Sequence, residues 1–168
     1  TEPRFFDGSL SDVRAVRQRV SVPVLRRDVL VHPAQVLESR AEGADAVVLV
    51  PAVLSISELE TMVGLAGELG MAAVAQVHST SELERALECE APVVLLNARD
   101  PETLEVRWEE ALGVARSQAE GIILVLEGGI QSCSQVLAAG QAGAKAVLVG
   151  TALMRSDPEE SLRRLVGD

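Results

Sequence analysis

The sequence predicts an α/β fold in which helices cover a parallel sheet, and two observations lead to this prediction. Short apolar segments recur about every 25 residues, as a repeated strand-and-helix unit requires. Each is followed by residues with helical periodicity, so strands and helices alternate. The segments start near Val22, Ala46, Ala72, Val93, Ile122 and Ala146. An open doubly wound sheet and part of an eight-stranded barrel both fit this alternation. A complete barrel does not, because the chain has 168 residues and such a barrel typically has roughly 250.

The first unit shows the signals that recur along the chain. Ser9 with Asp12 resembles a capping box, and a helix with an apolar face follows it. The apolar run Val22–Leu25 is predicted to be a strand, with a proline near its start. Three charged residues come at the end of this strand, and we expect their side chains at the carboxyl edge of the sheet: Arg26, Arg27 and Asp28.

The later units repeat these signals. Helix starts are predicted at Pro33, Ser55 with Glu58, Ser57 with Glu60, Ser79 with Glu82, Ser132 with Gln135, and Asp157 with Pro158. Strands are predicted at Ala46–Val50, Ala72–Val77, Val93–Leu96, Ile122–Leu126 and Ala146–Val149. Gly43 and Gly70 are expected to end two of the helices. Pro101–Val106 is predicted to be irregular, and Trp108–Gln118 to be a helix.

Composition and charge limit the function classes. Hydrophobic residues make up 48% of the chain, which suits one domain over residues 1–168 with a sizeable core. A formal net charge of −10 argues against nucleic acid or an anionic membrane as a partner. No apolar run is long enough to span a bilayer. Cys89 and Cys133 lack the spacing of metal ligands, so we expect no metal site. Two cysteines also fit a reducing compartment best, which would be the cytoplasm or an organellar stroma or matrix.

Two glycine turns follow the last two predicted strands. Glu127, Gly128 and Gly129 end one strand, and Gly150 and Thr151 end the next; each turn leads into a helix. Backbone N–H groups at two adjacent helix starts would surround one point and carry partial positive charge. The pattern predicts a site for a phosphate group. The alternative is that the glycines only allow tight strand-to-helix turns.

Several motifs resemble the indole-3-glycerol phosphate synthase family, in order and over essentially the whole chain. They are the segment Phe5–Leu10 with Asp12–Arg14, the run Val22–Asp28, Val77 and His78 before Ser79, the quartet Asn97–Asp100, Glu127–Ile130, and Val149–Arg155. The resemblance implies an incomplete (β/α)8 TIM barrel in which this chain supplies strands three to eight. The first strand, with a family glutamate and lysine, and most of the second would then be absent.

The resemblance also implies a reaction and its residues. These enzymes close the ring of 1-(2-carboxyphenylamino)-1-deoxyribulose 5-phosphate in tryptophan biosynthesis, losing carbon dioxide and water, without a metal or organic cofactor. The residues at family catalytic positions are Arg27, Gln76, Asn97 and Glu127. Those implied to bind the substrate or its phosphate are Arg99, Gly128, Gly129, Gly150 and Thr151.

Five positions differ from the family pattern, and one of them is Thr151, which stands in place of the usual serine. Arg27 stands in place of the lysine that acts as general acid, and Gln76 in place of a glutamate that acts in proton transfer. Gly128 replaces a serine, and Val29 replaces a phenylalanine that packs on the substrate. Arginine, with a pKa above about 12, is a poor proton donor near neutral pH, and an amide does not exchange a proton there. We therefore expect weak or absent activity.

Non-catalytic roles are open for the same residues. Arg27 could be a surface charge, Gln76 could form a hydrogen bond inside the barrel mouth, and Asn97 and Arg99 could hold their own loop together through Asp100. The whole chain could be a non-catalytic relative that binds a phosphorylated ligand or serves as a subunit of a larger assembly. Because an incomplete barrel has open strand edges, a protein partner or self-association is expected to cover them.

Overall fold

Six short strands alternate with helices in the computed structural model, which describes residues 1–117, 121–155 and 157–167, without the side chains of Phe5 and Phe6. The strands are β1 (Leu25–Arg26), β2 (Ala46–Leu49), β3 (Ala72–Val77), β4 (Val93–Asn97), β5 (Ile123–Glu127) and β6 (Ala146–Leu148). The helices are α1 (Pro3–Phe6), α2 (Leu10–Arg17), α3 (Pro33–Ala41), α4 (Ile56–Glu68), α5 (Thr80–Glu88), α6 (Trp108–Arg116), α7 (Cys133–Gln141), α8 (Thr151–Met154) and α9 (Pro158–Val166). A 3-10 turn at Pro51–Val53 precedes α4.

The chain divides into two compact units, of which the first comprises Thr1–Val77 and Ser81–Val93. Its strands lie in the order β1-β2-β3 and are parallel. Leu25 lies beside Ala46, and Ala46 beside Ala72. The sheet is buried by helix α4, whose Leu59 and Met62 have no exposed surface. Burial of such a side chain stabilises the fold by about 1.5–3 kcal/mol.

The second unit comprises His78–Thr80 and Val94–Asp168, so it contains nearly all of β4. Its strands lie in the order β4-β5-β6. Strands β5 and β6 are parallel, with Val125 beside Ala146 and Glu127 beside Leu148. The amide of Ala98 donates to the carbonyl oxygen of Glu127 at 2.8 Å, which places the carboxyl ends of β4 and β5 side by side.

Most predicted helix starts are confirmed, because a side chain accepts an otherwise unpaired amide at each. The amide of Ser9 donates to Asp12 Oδ2 at 2.7 Å. Ser55, and not Ser57, is the N-cap of α4, where its amide donates to Glu58 Oε2 at 2.7 Å. Asp157 accepts from the amide of Glu160 at 2.9 Å at the start of α9. The predicted end of α6 at Gln118 lies outside the described residues.

The first strand differs from its prediction of Val22–Leu25, since β1 contains only Leu25 and Arg26. Pro23 has no amide to donate, and the amide of Val24 donates to the carboxylate of Asp45 at 2.8 Å instead of to a strand. Val22 is 62% exposed. The ladder with β2 therefore begins only at Leu25.

The expectation for Arg26 was also wrong. Its side chain is buried, and its Nη1 donates to Ser39 Oγ at 2.9 Å and to the carbonyl oxygen of Gln35 at 3.0 Å, both on α3. Its Nη2 forms a 2.9 Å ion pair with Asp28. Successive residues of a strand point to opposite faces, so Arg26 faces α3.

Parallel strands that follow one another in chain order, each connected by a helix, are the pattern of an incomplete (β/α)8 barrel. The predicted fold class is confirmed. In such folds the functional loops follow the carboxyl ends of the strands. The predicted site residues lie at these ends.

Candidate functional site

Arg27 and Gln76 are in contact in the first unit. Arg27 directly follows β1 and is exposed, while Gln76 is the penultimate residue of β3 and is half-buried. Arg27 Nη2 donates a hydrogen bond to Gln76 Oε1 at 3.2 Å. Two residues 49 positions apart are thus brought together at the carboxyl edge of the sheet.

This pair has limited acid–base chemistry. A guanidinium stays protonated at neutral pH and a carboxamide does not titrate, so neither member can pass a proton to a substrate. Arg27 can still place positive charge beside an anionic ligand. Gln76 accepts this hydrogen bond at the carboxyl edge of the sheet, where Arg27 also lies.

Asn97 and Gly128 are packed together in the second unit. Asn97 Oδ1 accepts from the amide of Arg99 at 2.9 Å. Gly128 has a φ of +94°, and a Cβ atom there would lie 2.8 Å from Asn97 Oδ1 and 2.9 Å from the Arg99 nitrogen. No side chain fits at this distance without a shift of the neighbouring loop. The glycine at position 128 thus permits the close approach of the loop after β4, a packing role that was not predicted from the sequence.

Arg99 is bonded to its own loop. Its Nη1 donates to the carbonyl oxygen of Leu104 at 2.7 Å, and an isolated antiparallel bridge joins Arg99 with Val106. Arg99 therefore contacts its loop at Leu104 and Val106, whereas the alternative reading expected contacts through Asp100. The two contacts hold the side chain of Arg99 along the loop after β4.

Asp100 organises the same loop. Its Oδ1 accepts from the amides of Thr103 and Glu102 at 2.8 and 2.9 Å, and its Oδ2 pairs with Arg107 at 3.1 Å. The backbone hydrogen bonds from Thr103 and Glu102, helped by Arg107, lower the pKa of Asp100 below its ordinary value of 3.8. The ion pair of Arg107 with Asp100 was not predicted from the sequence, because the separation of the two residues along the chain matches no known motif.

The two glycine turns differ in how tightly they are packed. Gly129 has a φ of +74°, and a Cβ atom there would lie 2.6 Å from Val106 Cγ1, so this turn requires glycine. Gly150 has a φ of −116° and is the N-cap of α8; a Cβ atom there would meet nothing within 4 Å. Both turns follow adjacent parallel strands and lie at the same sheet edge. Open space is found beside Gly150, with Thr151 exposed next to it.

Glu127 is the last residue of β5 and is 3% exposed. Its carbonyl oxygen accepts from the amide of Ala98. Within the second unit, Asn97, Glu127 and Gly128 therefore lie at neighbouring strand ends, as the resemblance implies.

A cleft of about 310 Å³ lies in the second unit, between the residues before α5, the loop after β4 and helix α6. Its polar lining residues include His78, Asn97, Arg99 and Arg107, and its apolar ones include Leu96 and Ala111. Leu96 and Asn97 are consecutive in β4, so their side chains face opposite sides of the sheet. Because helix α6 contributes Ala111 to the lining, the cleft lies partly on the helix side of the sheet.

Neither a metal site nor a membrane-spanning helix is present in the part of the chain that the structure describes. Residues 1–117, 121–155 and 157–167 contain no cluster of three or more histidine, cysteine or acidic side chains suited to a metal ion. In the same ranges, every helix is too short or too polar to cross a lipid bilayer.

Comparison with known families agrees with the motifs. The family model described as indole-3-glycerol phosphate synthase matches residues 1–165. The chain belongs to the indole-3-glycerol phosphate synthase family. Indole-3-glycerol phosphate synthases of Mycolicibacterium vanbaalenii and Mycolicibacterium smegmatis are each 44% identical to it over 167 residues. That match covers 99% of this chain and 61% of each of these relatives, so the chain spans about three fifths of their length.

Solved structures support the fold of this family member. The 3-keto-L-gulonate-6-phosphate decarboxylase of Vibrio cholerae superposes with a TM-score of 0.80 at 17% identity, covering 96% of this chain and 79% of the other. A KGPDC from Streptococcus mutans gives a TM-score of 0.71 at 9% identity, and the superposition covers 94% of this chain and 76% of the other. At these identities the likeness concerns the fold alone.

Proposed function

We propose that this indole-3-glycerol phosphate synthase family member contributes the larger part of a synthase barrel in tryptophan biosynthesis and has little or no ring-closing activity by itself. The reaction it would serve is ring closure and decarboxylation of 1-(2-carboxyphenylamino)-1-deoxyribulose 5-phosphate. Asn97, Glu127 and Arg99 would contact this substrate, and the turns at Gly128–Gly129 and Gly150–Thr151 would hold its phosphate. We propose a cytoplasmic location, because the relatives named above are bacterial proteins.

The hydrogen bond between Arg27 and Gln76 carries the proposal of weak activity. Each general acid or base supplies about 10² to 10⁴ in rate, so the loss of both would cost on the order of 10⁴ or more. Arg27 keeps a positive charge at this position and can help to hold an anionic substrate. Proton delivery to the substrate's carbonyl oxygen is the step that this pair cannot perform.

An assay of ring closure tests this proposal on three proteins. They are the unmodified chain, the double variant Arg27→Lys/Gln76→Glu, and the matched control Arg164→Lys/Gln141→Glu, whose residues are exposed. Each is assayed alone and together with the part of the Mycolicibacterium smegmatis relative that lies outside the match. We expect turnover only for the first double variant with that segment, at least 10²-fold above the control.

Other results would count against specific parts of the proposal. Turnover by the unmodified chain at the rate of an ordinary synthase would show that Arg27 and Gln76 suffice. Turnover by the double variant alone would show that the part of the relatives outside the match is not needed.

A second candidate function is that of a non-catalytic relative that binds a phosphorylated ligand. The open space beside Gly150 favours it, because an anion could approach the backbone there without displacing a side chain. Calorimetric titration with inorganic phosphate tests this candidate. We expect binding by the unmodified chain and at least tenfold weaker binding by Gly150→Val, which fills that space, with Gly140→Ala in α7 as the control. Equal affinities would remove the phosphate site from Gly150.

A further inference from the structure

The helix side of the cleft in the second unit has an apolar wall that takes no part in the proposed ring closure or phosphate binding. Leu96 of β4 and Ala111 of α6 are buried in this wall, and Val114 is partly buried. Ala111 and Val114 are three positions apart, so they lie on the same face of α6. The cleft measures about 310 Å³. Ligand pockets usually measure roughly 300–1,000 Å³, so this one suits a small molecule.

Two side chains of opposite charge stand beside this wall. Arg107, directly before α6, and Glu110, in the first turn of α6, both line the cleft. Arg107 Nη1 lies 3.9 Å from Glu110 Oε2, a distance too long for a hydrogen bond. The two groups are therefore close neighbours without being bonded to each other, and one ligand can contact both.

Asp100 holds the guanidinium of Arg107 in place. Its Oδ2 pairs with Arg107 Nη2 at 3.1 Å, while its Oδ1 accepts from two amides of the same loop. The backbone of Arg107 is also fixed, because its amide donates to the carbonyl oxygen of Ala98 at 2.7 Å. A cation that is already positioned loses less conformational freedom when a ligand binds to it.

The charges of the lining favour a ligand that carries both signs. The positive charges of Arg99 and Arg107 are balanced by the negative charges of Asp100 and Glu110. A purely anionic ligand on Arg107 would be repelled by Glu110, and a purely cationic ligand on Glu110 would be repelled by Arg107. A zwitterion satisfies both side chains through charge-assisted hydrogen bonds. An α-amino acid holds its carboxylate and ammonium on one carbon atom, which suits two groups 3.9 Å apart.

We propose that this cleft binds a free α-amino acid with an apolar side chain. The carboxylate of the ligand accepts from Arg107, and its ammonium donates to Glu110. Its side chain packs against Leu96, Ala111 and Val114. The inference goes beyond the proposed function and does not depend on it, because none of these five residues is assigned to ring closure or to the phosphate.

Calorimetric titration with three small molecules tests the proposal. L-Leucine carries both charges and a branched apolar side chain, 4-methylpentanoate lacks the ammonium group, and 3-methylbutylamine lacks the carboxylate. We expect L-leucine to bind with a dissociation constant below about 1 mM, and each of the other two to bind roughly tenfold more weakly or worse. Amide chemical shifts should change on addition of L-leucine at residues 96–100 and 107–114.

The variant Glu110→Gln identifies the contact with the ammonium group. Glu110 is exposed, so the fold should be kept, as circular dichroism can verify. We expect L-leucine to bind roughly fivefold more weakly or worse, because a charged acceptor is lost, while binding of 4-methylpentanoate does not weaken. The matched control Glu109→Gln removes the same charge from the neighbouring exposed residue of α6, which is outside the cleft lining. It should bind L-leucine as the unmodified chain does.

Four results would each overturn the proposal. They are no binding of L-leucine at about 10 mM, equal binding of L-leucine and 4-methylpentanoate by the unmodified chain, shift changes only outside the cleft, and equal losses in Glu110→Gln and Glu109→Gln. L-Leucine has no phosphate group, and both variants keep Arg27 and Gln76. Failure here is therefore distinguishable from failure of the proposed function.

Discussion

At residue 128 the backbone conformation and the space around the Cα atom both require glycine. The φ of +94° is unfavourable for any residue with a side chain, and the loop after β4 approaches within 2.8 Å of where a Cβ would lie. The glycine at position 128 therefore fits the observed positions of Asn97 and Arg99. A change that restores the hydroxyl would not simply restore the site.

The variant Gly128→Ser should lower the free energy of unfolding by roughly 1–3 kcal/mol, because strain at a positive φ adds to the displacement of Asn97. Urea denaturation measures the change. The control is Gly113→Ala in α6, where a Cβ meets nothing within 4 Å; it should stabilise by about 0.5–1 kcal/mol. An unchanged stability in Gly128→Ser would mean that the loop after β4 adapts without cost.

Among the elements, the 3-10 turn before α4 depends on a residue of α5. Arg85 Nη1 donates to the carbonyl oxygen of Pro51 at 2.7 Å, and its Nη2 donates to that of Leu54 at 2.5 Å. Both bonds are partly buried. The arginine joins the segment between β2 and α4 to the helix that follows β3, all within the first unit.

Replacing Arg85 by Met should cost roughly 1–3 kcal/mol of stability, because two partly buried carbonyl groups lose charged donors while the length of the side chain is kept. Arg163→Met serves as the control, since its ion pair with Glu159 lies on the surface of α9. That substitution should cost about 0.5 kcal/mol or less. The two urea midpoints are compared; equal losses would show that the Arg85 bonds contribute no more than a surface pair.

For the whole molecule, acid should weaken the fold through carboxyl groups held in their charged form. Burial alone would raise the pKa of Asp28, but hydrogen bonds from Thr1, Arg26 and the amide of Val29 lower it below 3.8 overall. Hydrogen bonds from Ser55 lower the pKa of Glu58 below 4.5, and those from Thr103 and Glu102 lower that of Asp100 below 3.8. A group whose pKa is lower in the folded state stabilises the fold above its unfolded value, and this stabilisation is lost as the pH falls through the folded value.

The urea midpoint should therefore decrease as the pH is lowered from about 4.5 toward 3. Measurement in about 0.2 M salt limits the long-range effect of the net charge of −10. The variant Asp100→Asn, which cannot titrate, should show a smaller decrease over this range than the unmodified chain. A midpoint that stays constant between about pH 5 and pH 3 would contradict the assigned role of these carboxyl groups.

Much of the fold could be predicted from local signals. The alternation of apolar strands and capped helices depends on residues close in the chain, so Ser55 with Glu58 and Asp157 with Pro158 could be recognised directly. The start of β1 could not, because the amide of Val24 donates to Asp45, 21 residues away in the chain, instead of to a strand partner. The orientation of Arg26 likewise depends on Ser39, on another element.

For the candidate site, the sequence by itself determined the family and the residue types at the strand ends, among them the arginine at position 27 and the glutamine at position 76. Only the tertiary structure decided that Arg27 bonds Gln76, that Gly128 makes room for Asn97, and that Arg99 is held by its own loop. Side-chain identity and local periodicity are properties of the chain, whereas these contacts join residues on different strands and loops and arise only when those elements pack.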